Sequence, residues 1–295
     1  MKVHLLIASA LAATMAVGLA AQQSEIPSAA PVVPGPNAMR PIHVYIRGGL
    51  KSHGEGLHDY PQFLADWSKI LTEHGALVDG SLHFPDAREL ADTDVLVMYK
   101  GDAGYMTTEE RGVLETYIKR GGGFVSIHDT LCGDDPAFTA SFLGGGKKHG
   151  ERNFSAGDIK YTIVDHESPI MKGLSDFTIN DEAFFKMTWA TDPAIHVLAT
   201  APMPDSGEVV PQIWTYEHTV FGGQPSRAFV WMQGHRYSNF SNPGVQAMLL
   251  RGIAWAAKAP IDTLVNGHAP TRGGRGRAGR GAGGRAGNAG GRSGR

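Results

Sequence analysis

The sequence predicts an α/β fold, a parallel sheet with helices on both faces, and three observations carry that prediction. From Pro41 onward short apolar runs alternate with segments of helical period. Most helical segments carry a capping or glycine signal at one end, and neither repeat nor linker interrupts residues 41–260. The first strand is Ile42–Arg47, apolar and β-branched, and it ends at Gly48-Gly49. Pro61–His74 then sets Phe63, Leu64, Trp67, Ile70 and Leu71 on one helical face. Strands at Ala76–Leu82 and Asp94–Tyr99 follow. Thr107 with Glu110 makes the capping box of a helix that runs through Lys119 and stops at Gly121-Gly122-Gly123. Phe124–His128 reads as a buried strand. Beyond it the pattern loosens into an irregular extension over 145–225, in which Ile159–Val164, Val197–Thr200 and Gln212–Tyr216 read as strands, with Ala228–Met232 after it. The closing helix is capped by Asn242, opens on Pro243 and buries a stripe of Val245, Met248, Leu249, Gly252, Ile253 and Ala256.

With 295 residues, 42% of them hydrophobic and 19% charged, the chain suits one large soluble domain and excludes collagen, coiled coil and wholesale disorder. Lys2, the apolar run Leu5–Ala20 and the small residues Gly18 and Ala20 read as a signal peptide over 1–20, which predicts export to the periplasm or beyond. No later apolar run is long enough to span a membrane, so no transmembrane segment is expected after signal cleavage. Residues 21–40, with Pro27, Pro31, Pro34 and Pro36, read as an extended linker. Residues 261–295 read as a disordered Arg/Gly-rich tail. From Thr271 on it holds seven arginines and eleven glycines, with no acidic and no aromatic residue. Without aromatics to stack on bases, nucleic acid is not an expected partner, whereas anionic envelope surfaces are. Setting those arginines and Lys2 aside leaves 19 basic residues against 29 acidic, so the folded part carries about −10. The single cysteine, Cys132, permits no internal disulfide and no Cys-rich metal motif, which leaves histidine and carboxylate as the only ligands for a metal. Oligomeric state is not written in the sequence.

Ligands of open parallel sheets bind beyond the carboxyl ends of the strands, and there this sequence concentrates histidine and acid. The residues concerned are His53 and His58-Asp59, Lys100 and Asp102, His128-Asp129, His149 with Glu151 after Gly144-Gly145-Gly146, Asp181-Glu182, and His235 after Gly234. Neither glycine run has the spacing of a phosphate loop or dinucleotide fingerprint. Ser126 lacks the Gly-x-Ser-x-Gly frame of a nucleophile elbow, and Cys132, placed in a first helical turn, reads as a structural thiol. His128 occupies the elbow itself.

Gly121–His128, His58-Asp59-Tyr60-Pro61, Asp181-Glu182, Pro211-Gln212-Ile213-Trp214, Gly234-His235 and Arg251–Ala256 together resemble the ThuA-like, trehalose-utilisation family over roughly residues 42–258. The resemblance implies a flavodoxin-like sheet of the class I glutamine amidotransferase-like superfamily. It also implies a role in disaccharide catabolism, in pathways that oxidise a sugar to its 3-keto form before the glycosidic bond breaks. Amidotransferase chemistry is not expected, because His128 stands near the place of that superfamily's cysteine.

Cleavage beside a 3-keto group by elimination needs a base, an acid for the leaving oxygen and a group that polarises the ketone. His128 is the candidate base, Glu182 the candidate acid, and His235 with His149 the polarising pair. Alternatively His128, His149, Glu182 and His235 hold a zinc or manganese ion, and the sequence does not choose between the two arrangements. Candidates for binding a small-molecule carbohydrate are His53, His58, Asp59, Lys100, Asp129, His149, Glu151, Asp181 and Trp214, the last either pocket wall or core. The competing reading is a catalytically silent carbohydrate-binding or regulatory envelope domain. Convergence of the four metal candidates on one point favours the enzyme, and dispersal, or a site filled by Phe184 and Phe185, favours the binder. A metal-dependent hydrolase of a different substrate is a third reading.

Overall fold

The computed structural model describes residues 40–267, so the segment read as a signal peptide, nearly all of the stretch read as a linker and the sequence from residue 268 lie outside the described residues. The first half of the fold is βαβ: β1 (His43–Gly48), α1 (Tyr60–Glu73), β2 (Leu77–Ser81), β3 (Val95–Tyr99), α2 (Thr108–Lys119) and β4 (Gly123–Ile127). After a short 3₁₀ turn at His128–Leu131 come β5 (Cys132–Gly133), α3 (Pro136–Leu143), β6 (Gly145–Lys148), β7 (Phe154–Ile163) and β8 (Phe177–Phe184). The chain closes with β9 (Thr188–Trp189), β10 (His196–Pro202), β11 (Val209–His218), β12 (Ser226–Trp231) and α4 (Pro243–Ala256).

Nine strands form one sheet in the order β2-β1-β3-β4-β12-β11-β10-β7-β8, and a small second sheet runs β5-β6-β9. The first five places are parallel throughout and reproduce the flavodoxin-like order. β1, β3 and β4 are buried at every position, which is why β3 reads as an unbroken apolar run and β1 and β4 as largely apolar ones, interrupted by His43, Arg47 and Ser126. α1 packs on β1 and β2, burying Tyr60, Phe63, Trp67 and Leu71, and α4 packs on β4 and β12. Complete burial of a side chain such as Phe63 or Leu71 contributes roughly 1.5–3 kcal/mol. The α2 capping box forms as read: Glu110 N–H donates to Thr107 Oγ1 at 3.1 Å, and Thr107 N–H donates to Glu110 Oε2 at 2.8 Å. Asn242 caps α4 through Gly244 N–H at 2.8 Å, and Gly252 lets that helix close on Phe229, where a Cβ would fall 2.3 Å from the ring.

Three expectations are corrected. The 145–225 stretch is not irregular, because β11, β10, β7 and β8 continue the same sheet antiparallel from β12. One face of β7 meets solvent, so its burial alternates and its apolar signal is halved. Cys132 lies in the short strand β5, past the 3₁₀ turn, and not in a helix. The folded chain also runs beyond Pro260, to Gly267 at least. Leu264 is buried and its carbonyl accepts from the ring of His74 at 2.6 Å, while Asp262 pairs with Arg251 and Lys172. Among the described residues no helix is long and apolar enough to cross a membrane.

The extension matters to the site because it curls back. β8 stands four places from β12 in the sheet, yet Asp181 on β8 accepts from the backbone just beyond β12. Tyr161, on β7, receives a hydrogen bond from Trp231 and donates to Gln233. Glu182 is thereby carried over the carboxyl edge of the parallel strands.

Candidate functional site

Three histidines, from three separate loops at that edge, turn their rings toward one point. His58 ends the loop between β1 and α1, where its backbone N–H donates to the carbonyl of His235 at 2.9 Å. His128 is the first residue past β4. His235 follows Gly234, which adopts a φ of +136° where a side chain would meet Ile127 and His128. His58 Nε2 lies 3.0 Å from His128 Nε2 and 2.8 Å from His235 Nδ1, and the three nitrogens lie within 4.8 Å of one another. Two carboxylates flank them. Glu182 Oε2 is 3.9 Å from His128 and 3.6 Å from His235, and Asp129 is 3.7 Å from both His58 and His128.

The proton count decides what this cluster can hold. His128 Nδ1 faces the carbonyl of Met232 at 3.1 Å; a carbonyl only accepts, so that nitrogen carries the hydrogen and a neutral ring presents a lone pair at Nε2. Burial, reinforced by His128, holds His58 down to about 2 and His235 to about 4, so both are neutral near pH 7. His58 Nε2 then faces two nitrogens with at most one proton to offer, which leaves one close contact between lone pairs. A cation held by the three nitrogens would remove that conflict, and neutral imidazole is the form that ligates zinc or manganese.

The carboxyls are set apart in acidity. Burial raises Glu182 above its usual range. Burial also acts against ionised Asp129, but His128, His58 and Lys147 outweigh it and bring that carboxyl down to about 2. Such a split is the kind that separates a carboxyl suited to proton transfer from one that stays charged.

The backbone is strained at the same place. His53, His58, Asp102 and His128 are four of the seven described non-glycine residues with positive φ, at +69°, +47°, +51° and +52°. Left-handed conformations in such residues are unfavourable and persist where the surroundings enforce them, commonly at functional sites.

The sequence matches the profile of the ThuA family, described as trehalose utilisation, over residues 52–256. The chain belongs to the ThuA family. Among solved structures, a ThuA-like protein from Bacteroides uniformis is similar at a TM-score of 0.59 and 19% identity, covering 74% of this chain and 93% of that one; the likeness establishes the shared fold. Two further similarities have lower scores. A β-galactosidase from Bacillus circulans gives 0.49 at 10% identity, over 75% of this chain and 32% of that one. A GMP synthase component from Thermoplasma acidophilum gives 0.43 at 14% identity, over 74% and 95%. No curated protein matches the chain.

Within this ThuA chain the structure gathers His128, Glu182 and His235 as expected, joins Asp129 and His58 to them, and sets His53 edge-on to His58 with centroids 4.1 Å apart. His128 departs from its expected role as base: its ring is fully buried, with Nδ1 committed to Met232 and Nε2 facing His58. His149 is not in the cluster, since it is exposed and pairs with Asp102, so His58 takes the position expected of it. Asp181 serves the loop and not a ligand. Its buried carboxylate accepts from the N–H groups of Glu182, Gly234, His235 and Arg236 and from Asn239, which fixes the turn that presents His235.

Asp59 pairs with Lys51 at 2.6 Å, Lys100 donates to the carbonyl of Asp102 at 3.0 Å, and Glu151 is exposed. Trp214 is core, fully buried with its N–H on the carbonyl of Leu143 at 2.8 Å. Cys132 is buried: its thiol donates to Asp129 at 3.2 Å, and burial pushes it well above its ordinary pKa. Sequence reasoning missed Lys147, buried with its ammonium over the Phe184 ring, because Gly144–Lys148 reads as a turn and nothing in it signals a strand.

Proposed function

We propose that this ThuA-family chain is a metal-dependent enzyme of disaccharide catabolism that breaks the glycosidic bond of a 3-keto sugar by elimination. The observation that carries the reading is the convergence of three imidazole nitrogens flanked by two carboxyls shifted in opposite directions. His58, His128 and His235 would hold zinc or manganese, whose chemistry is to polarise the ketone oxygen. Asp129 stays ionised and balances that charge. Glu182, with its raised pKa, takes the proton from C2 as a carboxylate and returns it to the glycosidic oxygen as an acid. The C2–H electrons become the C1=C2 double bond, the C1–O pair leaves with the oxygen, and the products are an alcohol and an enone that water then hydrates.

Three of the four residues expected to meet, His128, Glu182 and His235, do so. Phe184 stacks on the ring of His128 with centroids 5.0 Å apart and leaves the nitrogens facing one another, which favours the enzyme over the silent binder. The test is release of 4-nitrophenol from a 4-nitrophenyl 3-keto-glucoside. Turnover is expected to vanish with a chelator, to return with zinc or manganese, and to fall about 1,000-fold in Glu182→Gln with its metal retained. A chain that holds metal and releases nothing from this substrate or from 3-ketotrehalose contradicts the reaction.

A further inference from the structure

Among the described residues Lys147 is the one buried lysine, and the mechanism above leaves it unused. It lies on β6 and is 6% exposed. Pairing of β5 with β6 sets it opposite Cys132, whose thiol reaches Asp129. Its Nζ stands 3.9 Å from the centre of the Phe184 ring, the ring that stacks on His128, and 5.6 Å from the Phe154 ring. Phe154 is 46% exposed, so Lys147 lies between a surface aromatic and the ring that stacks on His128. Among the described residues no carboxylate comes within 4 Å of this ammonium, and no hydrogen bond engages it; two aromatic faces are its only close partners. Its charge nevertheless acts on Asp129 and Glu182.

An ammonium carries three N–H groups, and with no protein acceptor at hand this one is free to donate to a ligand. The charges say which kind. A dication held by the three rings would stand with the Lys147 ammonium at one place in the fold. Such a site suits an oxygen that gains negative charge.

We propose that Lys147 is a further catalytic residue, whose ammonium donates to the ketone-derived oxygen of the substrate as that oxygen becomes an enolate. This inference rests on the proposed elimination. Charge on this oxygen is largest when the C2 proton has left, so the contact strengthens in the transition state more than in the bound substrate, and its loss falls on kcat.

The experiment compares Lys147→Met and Lys147→Arg with the parent chain. Turnover of the 3-keto-glucoside is read alongside binding of oxalate, a planar anion that mimics an enediolate, to the zinc-loaded protein. Lys147→Met is expected to keep its zinc, to lose about 100-fold in kcat with KM within about threefold, and to bind oxalate 10- to 100-fold more weakly; Lys147→Arg recovers part of both losses. Unchanged oxalate affinity in Lys147→Met, or a loss confined to KM, overturns the inference while leaving the metal site standing. Loss of zinc or of the folded state in both variants makes Lys147 structural and also overturns it. A parent chain that binds zinc and oxalate but turns over no keto-glycoside removes the elimination, and this role for Lys147 with it.

Discussion

His58→Asn binds zinc at least about 100-fold more weakly than the parent chain and turns over no keto-glycoside, whereas His149→Ala leaves both within about threefold. Removing even an outer partner of a metal ligand costs roughly 10- to 100-fold in affinity, and His58 is the ring that touches both of its fellows. Asparagine is the replacement of choice because residue 58 has a φ of +47°, a conformation asparagine tolerates better than alanine, and its side chain is too short to reach the centre. His149 pairs with Asp102 at the exposed rim and takes no part in the cluster. Titration calorimetry on metal-stripped protein reads the two affinities, with thermal melting as the check on folding. Equal zinc affinity in parent and His58→Asn sinks the assignment.

Metal-stripped protein loses stability steadily as the pH falls from about 6.5 toward 4. His58, His218 and His235 are held at about 2, 4 and 4 by burial, against 6.5 in the unfolded chain. Between those values the unfolded state binds more protons, so the contribution of each is complete above pH 6.5 and is lost on acidification, at up to about 1.4 kcal/mol per pH unit. Asp129, depressed to about 2, has the same sign but acts below its unfolded value of 3.8. Glu182, raised by burial, acts in the opposite sense just above 4.5 and softens the slope there. Urea titrations at pH 4.5, 5.5, 6.5 and 7.5 measure this, and His58→Asn should remove about one histidine's share. A curve flat across that range would mean that these rings are already charged in the fold, and charged rings do not ligate metal.

The parallel half of the fold was legible because burial on both faces leaves β1, β3 and β4 as largely apolar runs, and because Thr107, Glu110 and Asn242 carry their caps in the sequence. β8 was not, since Asp181 and Glu182, the residues that serve the site, sit inside the strand and break its alternation. The same logic divides the site. His128 and His235 stand directly past strand ends, where the topology alone draws attention to them. His58 stands well past Gly48 and reaches the centre only through the left-handed turns at His53, Gly56 and His58, which leave no periodic trace. His149 follows a glycine run that mimics a strand end of the main sheet, but its strand β6 belongs to the small second sheet. Lys147 was hidden by the same misreading.

The central claim is that three imidazoles hold one divalent cation, and X-ray absorption at the zinc edge of the zinc-loaded chain tests it most directly. The account predicts about one zinc per chain after gel filtration, with three imidazole nitrogens at about 2.0–2.1 Å and one or two oxygens completing the shell. Zinc that washes off, or a shell of oxygens with no imidazole signature, would contradict it.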